Sequence, residues 1–400
     1  MQGDMLRYYY TNQKFLSQMG TWPYQHRMIK ILLPCFLVGA EVSIFATQIL
    51  LVCNTWGDMN MTIEGIVNII LIFGATTKLL NIVINNEKLR YLLQLMDEHW
   101  RLFQSECELH ILRYHANIAK KLTKYYSVYI NIFVATFLSI PLMPKILDII
   151  IPLNESRPSV YVIEGDWGVN KEKYYYPILL YSYLAVIITI RIIVHVDTMY
   201  VACVLHGCSL FNAIGIRLEN IFDQVKLVKN EMQMDKKHLI IKEYDSDDYC
   251  EMIACLKKHQ LAVQFIHLLD CTFRDAMFVI LFLNVMILSV VGLQLINKVG
   301  QTQEVIRFGC LAVGSVTHLL SICLPGQLVI DRSIEVFDKA YNAQWYTFSL
   351  KTTKLLSILL CRSLIPCTLS AGNMFIMSMN TFSSVMQTAM SYFTTFLSVS

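Results

Sequence analysis

Long apolar runs constrain this chain more than any other feature. Seven of them, near residues 31–53, 62–84, 126–151, 175–199, 276–297, 308–329 and 379–399, approach the roughly 20 residues that a bilayer-crossing helix needs. In hydrocarbon every backbone polar group must be satisfied internally, which leaves helices or closed barrels. With 55% apolar and 16% charged residues and a mean hydropathy of +0.47, the chain lies outside the range of ordinary soluble domains. The expected fold is an all-α membrane protein with seven transmembrane helices. An eighth run, LLSILLCRSLIPCTLSAG (355–372), holds Arg362 and Pro366 and closes on Gly372. Proline frees backbone groups that lipid cannot satisfy, so this run is expected at the cytoplasmic side rather than across the bilayer.

Basic residues set the orientation. With the N-terminus inside, the inner segments carry 25 Lys and Arg and the outer segments carry 4, namely Arg157, Lys171, Lys173 and Lys298. The positive-inside rule then predicts a cytoplasmic N-terminus and, with seven spans, an extracellular C-terminus. The two Asn-x-Ser/Thr sequons, at Asn60 and Asn154, both fall in predicted outer loops and are candidate glycosylation sites. The 12 cysteines form no extracellular framework and read as reduced, packed thiols. The first thirty residues hold no apolar core behind a basic start, so no cleaved signal peptide is expected.

The organisation expected is a cytoplasmic N-terminus (1–30), four spans (31–199), cytoplasmic helical extensions (200–275), two further spans (276–329), a second cytoplasmic segment (330–378) and a last span (379–400). In the 200–275 segment, Ile216, Ile221, Val225 and Val228 recur at near-helical intervals, and Leu256, Val263 and Leu268 add a looser face. The tract EYDSDDYCE (243–251) starts like a calcium loop but lacks glycine at its sixth position. Leu256 stands where the bidentate acid belongs, so the tract reads as a solvated loop. The outer loop 152–174 is long enough to cover an outer cavity.

Three constellations carry the functional reading. In the last span Thr381, Ser384, Thr388, Ser391, Thr395 and Ser398 follow one another at steps of three and four, a single helical stripe of hydroxyls. Such a stripe serves either close packing against another helix or a water-facing pore, and both readings stand at this point. Ionisable residues fall within the spans or at their edges: Glu41, Glu64, Lys78, Lys145, Asp148, Arg191, His195 and Asp197. Most sit within two turns of a predicted end, where snorkelling relieves their cost. The outer halves of spans two to four offer Ile69 and Phe73, then Thr136, Phe137 and Ile140, then Tyr176, Leu180, Tyr183 and Ile187. An apolar cavity with one or two hydroxyls suits a small volatile or lipid-like ligand, and helix packing is the alternative for each residue.

Enzymatic signatures are missing: there is no GxSxG, HExxH or P-loop, and His206 between Cys203 and Cys208 has no second pair at ligand spacing. No cofactor, no metal and no nucleic-acid partner is expected. Asp331-Arg332-Ser333 follows the sixth span, not the third, and a cytoplasmic N-terminus argues against a G-protein-coupled receptor. A secondary transporter would be expected to show inverted repeats or broken, charged midplane helices.

The tracts YYYTNQKFLSQMGTWPYQ (8–25), AYNAQWY (340–346), CRSLIPCTLSAGNMFIMSMNTF (361–382) and SVMQTAMSYFTTFL (384–397) together resemble the insect odorant receptors. The resemblance implies a subunit of a tetrameric, ligand-gated, non-selective cation channel in the plasma membrane of olfactory sensory neuron dendrites. It implies an odorant pocket in the outer half of the bundle, and an anchor domain built from the cytoplasmic parts of spans four to seven. It also implies a pore lined by the last helix through Ser391, Thr395, Ser398 and Val399. Thr395 stands where coreceptor subunits of the family carry an aliphatic residue. The segment between spans four and five is shorter than the coreceptor's. Both departures imply a ligand-tuning subunit that forms a hetero-tetramer with the coreceptor, within membrane lipid. The gustatory-type channels of the same superfamily are the alternative.

Overall fold

The computed structural model of the chain describes residues 3–151, 157, 160–232, 238–298, 300–342 and 345–399. The described residues are almost entirely helical. They form α1 (Gly3–Gln18), α2 (Arg27–Asn54), α3 (Met59–Ile84), α4 (Asn86–Leu102), α5 (Glu106–Ser139), α6 (Met143–Ile150), α7 (Tyr175–Met232), α8 (His238–Asn297), α9 (Thr302–Tyr341), α10 (Leu350–Ser363) and α11 (Met379–Val399). A short antiparallel hairpin, β1 (Ser370–Ala371) and β2 (Phe375–Ile376), precedes α11. Six helical stretches are long and apolar enough to cross a membrane, in α2, α3, α5 with α6, α7, α8 and α9. The last, α11, has the length for a seventh at 21 residues.

Local chemistry explains the boundaries. The carboxylate of Asp58 accepts from the backbone N–H groups of Asn60 and Met61, which starts α3. Ser349 caps α10 by accepting from Thr352 N–H. Pro141 and Pro144 end α5 through a short 3₁₀ turn at Ile140–Leu142, so the expected continuous span 126–151 is a helix, a turn and the short α6.

One further expectation is revised. The tract 243–251, read as a loop, lies inside α8, whose backbone is helical from His238 to Asn297. No glycine or proline breaks the run. The N-terminal segment is also structured. The first helix is docked by the buried Tyr9 and Leu16, by Asn12 Nδ2 donating to Thr123 Oγ1 at 3.4 Å, and by Phe15 stacked 4.3 Å from His195.

The densest packing lies where α7 and α8 extend past the predicted inner boundary. Tyr200, Phe211, Phe265 and Phe273 are fully buried there with Phe103. Burying an aromatic of this size is worth roughly 1.5–3 kcal/mol each. Ion pairs border that core: Glu108 accepts from Lys258 at 2.6 Å and from Arg217 at 2.9 Å. This core is bordered by a polar cavity of about 460 Å³ lined by Glu108, Arg217 and Glu251.

The hairpin is pinned to that core. Gly372 has φ +63° and Asn373 φ +57°, the left-handed pair that the tight reversal requires. Arg274 donates to Asn373 Oδ1 at 2.8 Å, and Gly372 N–H to the Arg274 carbonyl at 3.1 Å. Cys367 N–H donates to Ser333 Oγ at 3.0 Å, and Met379 N–H to Gln327 Oε1 at 3.2 Å. A Cβ on Gly326 of α9 would collide with the Met377 carbonyl, so glycine permits the close approach. The quoted tract 361–382 is therefore the segment that sets the starting position and direction of α11.

Candidate ligand cavity and hydroxyl-striped helix

Two adjoining cavities occupy the membrane half of the bundle. The larger, about 130 Å³, lies between α3, α5, α7, α8 and α9. Its walls include Ile70, Tyr126, Phe133, Ile190, Ile287 and Leu311. The smaller, about 70 Å³, shares Leu71, Phe133, Ile190 and Leu311 with it and adds Phe137, Ile163 and Thr189. A cavity of this order holds a molecule about the size of benzene when its walls are apolar.

Charge is confined to the two ends. Arg307, in the second turn of α9, lines the smaller cavity and is paired with Glu64 of α3. It also donates to the Val162 carbonyl at 3.1 Å. Tyr161, Val162 and Ile163 of the 152–174 segment are buried against α7, and Ile163 lines the smaller cavity. Gln48 of α2 fastens it by donating to the Glu164 carbonyl at 3.0 Å, and it accepts from Asn68 at 3.1 Å.

At the other end, in the last two turns of α3, Lys78 is paired with Asp197 of α7 and lines the larger cavity. His318 Nε2 lies 2.7 Å from Lys78 Nζ, and its Nδ1 lies 3.3 Å from Asn284 Oδ1. An ammonium can only donate, so Nε2 accepts and Nδ1 carries the proton that Asn284 receives. Asn284 in turn donates to the Ile280 carbonyl at 2.8 Å. The same Nε2 also lies 3.4 Å from Asp197 Oδ2, so the imidazole sits among Lys78, Asp197 and Asn284.

Of the nine residues expected to line a pocket, only Phe137 reaches the wall of either cavity. Tyr176 and Leu180 are 70% and 61% exposed and face outward from α7. Phe73 is half exposed, and Thr136 is exposed with its hydroxyl returned to the Ile132 carbonyl. Ile140 is buried in the 3₁₀ turn. Tyr183 is half-buried and donates to the Leu138 carbonyl at 2.9 Å, while Ile69 and Ile187 are partly buried beside the lining residues. The physical reason is register: one residue along a helix rotates a side chain by about 100°. On α3 and α7 the neighbours Ile70, Leu71, Ala185, Val186 and Ile190 face inward instead. Both helices are apolar on most sides, so periodicity does not separate the lipid face from the cavity face.

The ionisable residues were legible as candidates but not as pairs. Glu64, Lys78 and Asp197 are buried and bonded across helices rather than snorkelling. Glu41 is buried and accepts from Thr189 Oγ1 at 3.0 Å. Lys145 lies 3.8 Å from the Tyr175 ring centre, and Asp148 pairs with Arg157 at 2.6 Å. Arg191 is exposed one turn from His195.

On α11 the stripe residues Ser384, Thr388, Ser391, Thr395 and Ser398 are exposed in the single chain. Their hydroxyls bond within the helix: Thr388 to the Ser384 carbonyl at 2.8 Å, Thr395 to that of Ser391 at 2.9 Å, and Ser398 to that of Thr395 at 2.8 Å. The opposite face, Val385, Ala389 and Phe393, packs on α8, where Ser289 Oγ donates to the Ala389 carbonyl at 3.4 Å. Val399 ends α11. Asn60 is exposed on the first turn of α3, and Asn154 lies outside the described residues.

Comparison with known proteins agrees with this architecture. The model of the 7tm Odorant receptor family matches residues 58–390. Odorant receptor Or2 of Anopheles gambiae is 23% identical over 146 residues, or 36% of this chain and 38% of that protein. The aligned part thus spans well under half of that relative's length. Among solved structures, olfactory receptor OR5 of Machilis hrabei in complex with eugenol superposes with a TM-score of 0.78 at 12% identity, covering 98% of both chains. A second structure of the same receptor gives 0.76 at 12% identity over 99% of both chains. The family match covers most of the chain and the fold match nearly all of it, and this multi-pass membrane protein belongs to the odorant receptor family.

Proposed function

We propose that this chain is a ligand-tuning subunit of an odorant-gated, non-selective cation channel. A small volatile ligand enters the paired cavities, and ions pass through a central pore lined by α11 of each subunit. The observation that carries this reading is the apolar cavity of about 130 Å³ at the meeting point of five helices. A ligand there touches α7, α8 and α9 together and biases their arrangement, to the extent that it binds one arrangement more tightly. Its size excludes all but small molecules. The ligand unit takes in residues 31–199 together with 276–329, because α8 and α9 supply two of the cavity walls. Residues 200–275 and 330–378 form the cytoplasmic anchor, and 379–400 the pore segment.

The exposed hydroxyl stripe supports the pore assignment. In a four-fold assembly it provides a wet, uncharged lining, which suits weak selection among cations. Ser391, Thr395, Ser398 and Val399 form its outer end. The basic bias toward the inner loops supports a cytoplasmic N-terminus, with Asn60 and Asn154 outside as glycosylation acceptors. The site of action is the plasma membrane of olfactory neuron dendrites.

The test is whole-cell current from cells expressing this chain with and without an insect coreceptor, during a volatile panel and with G-protein signalling blocked. A fast cation current that requires both subunits supports the reading. Current from this chain alone would replace the tuning-subunit role by a self-sufficient channel. Silence in both, with surface expression verified, would overturn the channel assignment. Leu311→Trp, which fills the shared wall of both cavities, should raise the half-maximal concentration of an active volatile tenfold or more, about 1.4 kcal/mol.

A further inference from the structure

We infer that the inner end of the larger cavity is a hydrogen-bonding subsite that selects volatiles carrying an oxygen acceptor, such as ketones, aldehydes and esters, with Lys78 as the donor. This rests on the reading of that cavity as the ligand site. Lys78 is 3% exposed and lines the cavity. Its ammonium has three protons. One goes to Asp197 and one to His318 Nε2. Among the described residues no acceptor takes the third. The second carboxylate oxygen of Asp197 lies 3.4 Å from His318 Nε2, and Tyr126 lines the same cavity. Asn284 Oδ1 already accepts from His318, and Ser315 Oγ donates to the Leu311 carbonyl at 2.9 Å.

The selectivity follows from what a ligand would leave unpaired. A ligand oxygen that replaces water on Lys78 keeps a charge-assisted hydrogen bond, whereas a hydrocarbon of the same shape forfeits it. A buried site built to hydrogen-bond rejects the analogue that lacks the partner. Asp197 neutralises Lys78 at short range, so a formal anion is not required. The geometry therefore calls for a neutral acceptor on an apolar body. His318, fixed in its Nδ1–H tautomer by Asn284, holds the Lys78 head in place from the α9 side.

The experiment uses the full-length chain purified in detergent and two matched probes, acetophenone and ethylbenzene, which differ in the carbonyl oxygen. Binding is read by thermal stabilisation over a concentration series. Acetophenone should bind about tenfold more tightly. Difference infrared spectra with a ¹³C-labelled carbonyl should show its stretch moved to lower frequency on binding, a measurement that needs no variant. Lys78→Met with Asp197→Leu, which removes both charges together, should bring the two affinities to within about twofold and abolish the infrared shift.

Equal affinity of both probes for the native protein, or an unshifted carbonyl stretch, would overturn the subsite and leave the cavity reading standing. Tight binding of ethylbenzene with no acetophenone advantage has the same meaning. Failure of both probes to stabilise the native protein would remove the cavity reading, and the subsite with it. Should the double variant not fold, the native affinity ratio and the infrared shift decide the matter.

Discussion

Ser370 donates both its backbone N–H and its hydroxyl to a single carboxylate oxygen of Asp270, at 2.6 Å and 2.9 Å. The two residues are a hundred positions apart, one on α8 and one at the start of the hairpin before α11. This contact fixes the point from which the striped helix departs. Asp270→Asn retains the shape but loses the charge that strengthens both bonds, at a cost of about 1.5–3 kcal/mol. Hydrogen exchange across residues 367–378 should quicken, and odorant-evoked current per surface receptor should fall. Unaltered exchange would show that the hairpin is held by other contacts alone.

The cavity walls separate residues that sequence treats alike. Phe137→Ala enlarges the smaller cavity and should shift the dose–response curve of an active volatile several-fold. Tyr176→Ala and Leu180→Ala remove outward-facing side chains and should leave that curve in place. Dose–response measurement of all three against surface expression decides between the two faces.

Pore assignment makes Thr395 sensitive to charge. Thr395→Lys would place a ring of ammonium groups on the stripe in an assembled channel, repelling cations in a narrow, low-dielectric passage. Cation current should drop by tenfold or more while ligand binding to the cavity persists. Normal conductance would mean that this face looks away from the ions.

The pair between Arg307 and Glu64 closes the outer end of the cavities from inside the bundle. Arg307→Met leaves Glu64 as an uncompensated buried charge, a loss of about 3–5 kcal/mol. Adding Glu64→Leu should recover most of it. Melting of the detergent-solubilised protein measures both, and a double variant no better than the single would mean that the Val162 contact carries the stability.

His99 supplies the pH dependence. It lies on α4, outside the apolar helices, 1% exposed and 3.2 Å from His206. Burial pushes its pKa down from 6.5 to about 4. The unfolded chain therefore takes up this proton first as pH falls. The contribution of the neutral ring is complete above about pH 6.5 and is lost progressively down to about pH 4, roughly 3 kcal/mol in all. Melting temperature should decline between pH 7 and pH 5, and His99→Leu should make that decline shallower.

Much of the architecture was legible because lipid enforces it. Apolar length located the six long apolar helices and α11, and the helical spacing of Ile216 and Ile221 anticipated that α7 continues well past residue 199. Proline content kept 355–372 out of the bilayer count, and that run is α10 followed by the hairpin. The cavity register was not legible. On α3 the residues Ile69 to Ile72 are all apolar, and only the positions of α5, α8 and α9 decide which of them faces the interior. Nor did sequence show that Lys78, Asp197 and His318 meet, since they come from three helices far apart in the chain. Each was visible as an isolated cost inside a span; the structure turns that cost into a shared contact.

The two longest helices, α7 with 58 residues and α8 with 60, run without an interior break from the cavities to the far end of the bundle. Proline occurs in α7 only in its first turn, at Pro177, and not at all in α8. Each is a lever. From the cavity wall near Ile193 to the inner end of α7 is roughly 60 Å at 1.5 Å per residue, so a tilt of about 3° displaces that end by about 3 Å. A molecule the size of a benzene ring need move its walls by only a fraction of an ångström for the far end to travel several times as far.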